Sequence, residues 1–352
     1  MIARHRAAGS GRDVALDAAR GFAVAGMILV NLQPHEEIAY RQLVHAGWTG
    51  VHFADLVFPM FLVIVGCTLA ITCRRGASIG PAVRRAVVLI AIGVALGWLL
   101  RPSLDPHALR LPGVLQRIGI VYLVAFMICR QSSGALAPAV AAAVLLVAHQ
   151  SLLFTPDPLG ATGIGPGEGL AGWLDRQLPG RLHRPGWDPE GVLSTLSATG
   201  SALIGLSVYR WSRQGSRALR LALAGLALIA LHIPAAALAP LGKPLWTPGF
   251  ALLTGGITLL VLAAGQLMPP RALALFAWLG RVALTLFVVH MLLIALLLRT
   301  IGGDTLWHHT LAAALRLPVP PALAALLAAL ALGGIATMLT RLLERRGWLI
   351  RA

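Results

Sequence analysis

With 352 residues, 57% of them hydrophobic and only 12% charged, and with a mean hydropathy of +0.79, the chain carries far more apolar sequence than a soluble core of its size needs. The formal net charge of +16 comes from 29 Lys and Arg against 13 Asp and Glu, and among the basic residues only Lys243 is a lysine. No basic face interleaved with aromatics sits on a soluble segment, which argues against nucleic acid as a partner; most of the charges fall in loops between apolar runs.

In chain order, MIARHRAAGSGRDVALDAARG is basic, then amphipathic, without a cleavage pattern after a short apolar core. It reads as a cytoplasmic leader into a first span and not as a removed signal. Apolar runs follow at 14–33, 53–73, 83–100, 112–130, 135–154, 190–210, 218–239, 247–268, 273–298 and 321–343. Each is close to the length a helix needs to cross the hydrocarbon layer, so the predicted fold is all-α, a polytopic transmembrane helix bundle of about ten spans forming a single membrane-embedded domain over 1–352. Arginine concentrates in loops of one parity: Arg4, Arg6 and Arg12, then Arg74, Arg75, Arg84 and Arg85, Arg130, Arg210 to Arg220, Arg271, and Arg341 to Arg351. The positive-inside bias then puts both termini in the cytoplasm. Loop 155–189, rich in Gly and Pro, falls on the extracytoplasmic side with loops 102–111 and 300–320 and with Lys243. A connection that long is either a lid or binding loop over the bundle or a plain tether. No internal repeat supports inverted transporter symmetry. Cys67, Cys73 and Cys129 lie in or at the ends of apolar runs without CxxC spacing, so neither a disulfide framework nor a metal site is expected.

Stretch 42–66, QLVHAGWTGVHFADLVFPMFLVIVG, runs a polar, His-containing turn straight into an apolar helix that carries an aspartate. Ionisable groups at a bilayer boundary are costly unless used, which makes this the candidate active site. The topology gathers further polar residues at the same outer level: Asn31 closing the first span, His45, His52 and Asp55 at the second, Gln116 and Arg117 one to two turns into the fourth, and Glu190 opening the sixth. Arg117 is expected to neutralise Asp55 or Glu190, either as support for a site or as a purely structural knot. His45 is the candidate general base, with a carboxylate to fix its tautomer, and His52 is its rival. Asn31 either donates to an oxyanion or caps its helix, and the Trp48 indole N–H is a second donor. At the other face, Arg20 either pairs with Asp17 or meets a phosphate-bearing cofactor. Arg281 opens the ninth span, and His290 lies nine residues on, about 14 Å deeper at the helical rise. It either lines a polar cavity or bonds a neighbouring helix.

The blocks LDAARGFAVAGMILVN, HAGWTGVHFADLVFPMFLVIVG, LPGVLQRIG, PEGVLSTLSATGSALIG and LGRVALTLFVVH resemble, in order, those of the heparan-α-glucosaminide N-acetyltransferase family and its bacterial relatives, within the transmembrane acyl-CoA acyltransferases. The resemblance runs from about 14 to 295, and its most specific piece is HAxWxG…ADLVFPxF. It implies a bundle that takes acetyl-CoA, the acyl donor, from the cytoplasmic side and acetylates the amine of a terminal glucosamine on the far side. It also implies the catalytic bundle without the large lumenal N-terminal domain of the animal enzymes. By that likeness His45 is catalytic, Asn31 matches the asparagine that ends the first span, and Asp55, Arg117 and Glu190 match family-block positions near the site. On the reading of the residues themselves Asp55 joins the catalytic pair, Trp48, Gln116, Arg117, Glu190 and His290 are expected on the acceptor side, and Arg20 and Arg281 on the donor side. Two departures, PHEEIAYRQ between Asn31 and His45 and WTG where the family often has WNG, lie where the acceptor would be recognised. The expected setting is a bacterial cytoplasmic membrane, multi-pass, with the bilayer, acetyl-CoA, an amino-sugar or glycan and a homodimer mate as partners. The competing functions are O-acetylation of a periplasmic glycan and proton-coupled transport.

Overall fold

The computed structural model describes residues 13–33 and 36–350; the leader at 1–12 and its arginines lie outside the described residues. Thirteen helices are described: α1 (Val14–Asn31), α2 (Phe53–Arg74), α3 (Ile79–Leu100), α4 (Val114–Gln131), α5 (Leu136–Leu153), α6 (Gly169–Arg176), α7 (Val192–Trp211), α8 (Arg217–Leu238), α9 (Pro248–Leu267), α10 (Pro270–Arg281), α11 (Ala283–Leu297), α12 (Leu306–Ala314) and α13 (Pro321–Arg345). Strands β1 (Thr300–Ile301) and β2 (Asp304–Thr305) form a short antiparallel hairpin. Among the described residues nine helices are long and apolar enough to cross a membrane, and α10 with α11 makes a tenth if that pair, bent by 65°, is one span. The chain is thus an all-α polytopic bundle.

Burial separates centre from rim. In α7 78% of the spanning window is buried, and in α1 and α2 67%, whereas α8 buries 11% and α3 22%. The rim helices turn residues such as Leu219, Leu223, Leu226 and Ile233 outward, which in water would be an aggregating surface and in lipid is ordinary solvation. At the centre backbones cross with almost nothing between them. A Cβ on Gly21 would run into the Phe276 carbonyl of α10, and one on Gly280 into the Asp17 carbonyl of α1. Gly66 of α2 and Gly205 of α7 meet the Ala202 and Val63 carbonyls in the same way. Small residues at such crossings replace the hydrophobic drive that lipid does not provide.

The predicted span at 273–298 is a broken pair. Its apolar run has no proline to announce a break; α10 follows α1 through the Gly21–Gly280 crossing and the chain turns just beyond it, at Val282. Asp13 ties four helix ends together: it caps α1 through Leu16 N–H (3.2 Å) and accepts from Tyr209 Oη (2.5 Å), Arg217 Nη1 (2.8 Å) and Gln266 Nε2 (3.0 Å). One expectation is corrected: Cys73 and Cys129, 56 residues apart, form a disulfide with Cα atoms 6.5 Å apart. Packing of α2 on α4 brings them together, and no sequence spacing encodes that.

Candidate active site

The site is built on the start of α2. Asp55 is the third residue of that helix and is 1% exposed. Its Oδ2 accepts the backbone N–H of His52 (3.0 Å) and of Ala46 (3.0 Å), while Oδ1 lies 2.8 Å from His45 Nδ1. The first of these bonds is half of a capping box, so the residue that starts the helix also folds the preceding loop back onto it. An ionised carboxylate only accepts, so His45 donates from Nδ1, and in the neutral imidazole Nε2 is then the acceptor nitrogen. His45 is 42% exposed and faces a cavity of about 550 Å3. His52, the rival base, is committed elsewhere: its Nδ1 is 2.9 Å from the Val44 carbonyl and its Nε2 takes the Arg41 Nε–H at 3.3 Å.

The loop is pinned from outside. Trp48 Nε1 donates to the Ile164 carbonyl (2.6 Å), and its ring meets Trp187 edge-on at 4.8 Å. Gly50, at φ +107, donates to the Leu241 carbonyl (2.8 Å). Loop 155–189, which includes α6, thus packs against the His45 loop through Ile164 and Trp187. Three buried carboxylates organise it. Asp175 accepts from Asp188 N–H (3.0 Å) and from Val192 N–H (2.9 Å), capping α7. Asp157 turns the chain at 157–161. Asp188 receives the His183 and Glu190 N–H groups.

The expected pairing of Arg117 with Asp55 or Glu190 does not occur. Arg117 is 2% exposed, turns to the start of α7, donates to Gly191 O (3.1 Å) and Ser194 Oγ (2.5 Å), and lies over the Trp246 ring at 5.2 Å. It is not among the side chains that line the cavity. Glu190 is held by Arg110, which also forks onto Asp188: Nη2 reaches Glu190 Oε2 at 2.6 Å and Asp188 Oδ1 at 2.5 Å, and Nε reaches Asp188 Oδ2 at 2.8 Å. Burial opposes the Arg110 charge, but the two carboxylates outweigh it and raise the guanidinium pKa further; burial likewise pushes Asp188 up, and Arg110 outweighs it and holds Asp188 below the usual carboxylate range. The register of α4 explains the swap: Arg110 precedes the helix and reaches the loop carboxylates, while Arg117, one turn in, points to its neighbour α7.

Asn31, Trp48, Gln116 and Glu190 line the cavity with His45 and Asp55. His290 sits one layer back, fully buried, with Nε2 3.2 Å from Asn31 Nδ2. The amide donates to it, so His290 orients Asn31. Sequence reasoning did not single out Arg110 or Lys243 for the site. Lys243 Nζ is 3.1 Å from His45 Nε2 and 3.3 Å from Nδ1. Near-equal distances to both ring nitrogens put the amine over the ring face, well off either in-plane lone pair. For Lys243 the available signal was compositional, one lysine among 29 basic residues; Arg110 gave none.

Arg20 and Arg281 are elsewhere. They line a second cavity, of about 290 Å3, with Arg85, Tyr122, Thr68 and Thr72. Arg20 makes the expected pair with Asp17 Oδ1 (2.9 Å), bonds Thr68 Oγ1 (2.7 Å) and lines this space. Met27, Val114, Leu115 and Phe287 wall both cavities, so an arginine-lined chamber and the His45 chamber adjoin across these apolar side chains. Among the described residues no group of three or more His, Cys, Asp and Glu is arranged to hold a metal ion.

Residues 12–170 match the family model described as heparan-alpha-glucosaminide N-acetyltransferase, catalytic. The heparan-alpha-glucosaminide N-acetyltransferase of Mus musculus is 29% identical over 249 residues, which cover 54% of this chain and 37% of that protein. The Homo sapiens protein of the same name is 28% identical over 249 residues, with the same shares of 54% and 37%. The matched stretch is thus little more than a third of the length of these curated relatives. The family-model match at 12–170 includes Asn31, His45 and Asp55 and stops short of Glu190, Lys243 and His290. Over residues 12–170 the chain is similar to the catalytic region of the heparan-alpha-glucosaminide N-acetyltransferase family.

Proposed function

We propose that the chain is a membrane-embedded acetyltransferase that moves an acetyl group from acetyl-CoA, held at the cytoplasmic side, to the amine of a terminal glucosamine-type sugar on the extracytoplasmic side of a bacterial cytoplasmic membrane. The observation that supports this best is the pair of chambers sharing Met27, Val114, Leu115 and Phe287. A donor with a highly charged nucleotide end and a slim acyl arm suits that shape. Guanidinium groups of Arg20, Arg85 and Arg281 bind phosphate well, and an apolar neck opened between the four shared side chains would pass a neutral arm while charge stays behind.

In this reading His45 Nε2 takes the proton of the acceptor amine as it attacks the thioester carbonyl. Asp55 holds the imidazole in the tautomer that leaves Nε2 bare, and it supports the positive charge that forms on the ring. Asn31, oriented by His290, and the Lys243 ammonium are the donors for the developing oxyanion. The same bare Nε2 serves a route in which His45 itself carries the acetyl group. Loop 155–189 closes the outer chamber through Trp48 and Trp187, excluding water from an acyl group it would hydrolyse.

The test is transfer of label from acetyl-CoA to glucosamine by purified protein in detergent, beside His45→Ala. Transfer that disappears in the variant supports the reading. Acetyl-CoA binding without transfer to glucosamine, but with transfer to a sugar hydroxyl, moves the acceptor from amine to alcohol. Absence of both binding and transfer removes the acetyltransferase reading.

A further inference from the structure

Of the 29 Lys and Arg in the chain, Lys243 is the single lysine. It is also the one side-chain amine that can lose its proton and become a nucleophile, because a guanidinium stays charged in proteins. It does not lie with the arginines at the far end of the bundle. It sits on His45, at 3.1 Å and 3.3 Å from the two ring nitrogens, in the chamber that holds Asn31 and Asp55.

Its placement is built into the fold. The preceding Gly242 lies so close to the His45 loop that a Cβ there would come within 2.8 Å of the Trp48 carbonyl, and Leu241 accepts the Gly50 N–H at 2.8 Å. Three residues on, Trp246 is fully buried at φ +51, a backbone conformation that bulky residues rarely adopt, and its indole donates to Ser201 Oγ at 3.0 Å. Strain of this kind persists where surrounding structure over-determines it. Burial lowers the Lys243 ammonium from its ordinary value, with Glu190 and Asp55 working the other way, so a neutral amine is more accessible here than on a surface lysine.

An acceptor amine must come within hydrogen-bond reach of the base that takes its proton. Lys243 already holds an amine at that distance, and rotation about its flexible stem carries Nζ from the ring face to the lone pair of Nε2. We propose that Lys243 is an internal acceptor, whose Nζ takes an acetyl group from an acetyl thioester in the chamber and leaves the protein acetylated on this residue and self-limited. This rests on the acetyl-transfer reading of the site. The Nζ lone pair forms a bond to the thioester carbonyl carbon, the carbon–sulfur bond breaks, and its electron pair leaves on sulfur. The proton lost by nitrogen passes through His45 Nε2 to the thiolate, so the products are an amide and a free thiol. The amide has no charge to offer an oxyanion and fills the space beside His45, so the modified chain no longer transfers. A bound sugar amine occupies the same place and protects Lys243.

The full-length protein in detergent is incubated with carbon-13-labelled acetyl-CoA, with and without glucosamine, beside Lys243→Arg and His45→Gln. Intact mass and peptide mapping locate the label, and thermal unfolding shows that the variants are folded. With a single lysine, the N-terminal amine is the other amine to be told apart. We expect one label on Lys243, none there in Lys243→Arg, labelling slower by about ten-fold or more in His45→Gln, and slower labelling of the wild type when glucosamine is present. The glucosamine effect needs no variant. Acetylated glucosamine with Lys243 unlabelled after many turnovers overturns the internal acceptor and leaves the acetyl-transfer reading standing. Equal labelling in folded His45→Gln, or labelling indifferent to glucosamine, shows acetylation outside the site and overturns it as well. No label on lysine or sugar overturns both.

Discussion

Asp55→Asn changes one oxygen to an NH2 group at the residue that organises the site. The carboxylate accepts three hydrogen bonds, from the backbone of Ala46 and His52 at 3.0 Å each and from His45 Nδ1 at 2.8 Å. An asparagine oxygen can keep one side of this arrangement; the other side then faces a donor with a donor. If the oxygen stays with the two N–H groups, the amide NH2 points at Nδ1 and forces the imidazole into the tautomer with its proton on Nε2, where the base must be empty. If it turns to His45, the loop loses its cap. Loss of charge-assisted bonds at a buried site costs on the order of 1–3 kcal/mol, and a base held in the wrong tautomer costs on the order of 10²–10⁴ in kcat. The assay is acetyl transfer to glucosamine with thermal unfolding in the same detergent. We expect a folded protein with kcat lower by about 10³ and KM for acetyl-CoA little changed. Full kcat in a folded Asp55→Asn protein would refute the assignment of tautomer and role.

Arg110→Met leaves the buried Asp188 and Glu190 without their cation, and we expect destabilisation of about 3–5 kcal/mol. Asp188 is held below the ordinary carboxylate range, so the stability it confers is present above its unfolded pKa of about 4 and is lost as pH falls through the lower folded value. Removing Arg110 raises the folded value, so acid unfolding followed by circular dichroism moves to higher pH. Arg20→Met and Arg281→Met each raise KM for acetyl-CoA, by about ten-fold for a lost phosphate contact, with kcat nearly unchanged; steady-state kinetics with varied acetyl-CoA reads this. Gly280→Ala puts a methyl group into the Asp17 carbonyl of α1, and we expect a loss of about 1–3 kcal/mol in thermal unfolding as α10 is pushed off α1.

Much of this architecture can be read from the sequence, for a physical reason: a helix that crosses lipid must stay apolar for a set length. The run at 53–73 is the helix Phe53–Arg74, and the run at 321–343 is Pro321–Arg345. The break at Val282 leaves no such trace, since it comes from the packing of α10 on α1 and not from a proline. His45 and Asp55 are legible together because a carboxylate at the third position of a helix reaches back by local geometry. The partner of Arg117 is not, since the rotation of α4 about its axis decides whether a guanidinium meets Glu190 or Trp246, and that rotation is set by neighbours. The Cys73–Cys129 pair and the Arg110 fork are contacts between distant segments with no periodicity behind them. Lys243 is intermediate: its rarity is plain in the sequence, and its position over His45 is not.

The most direct test of a donor chamber at one face and a base at the other uses proteoliposomes with glucosamine trapped inside and labelled acetyl-CoA added outside. We predict that labelled N-acetylglucosamine accumulates inside from those molecules whose arginine-lined chamber faces out, without acetyl-CoA crossing the bilayer, and that His45→Ala vesicles form none. Product formed only when donor and acceptor are on the same side would contradict transfer through the neck at Met27, Val114, Leu115 and Phe287.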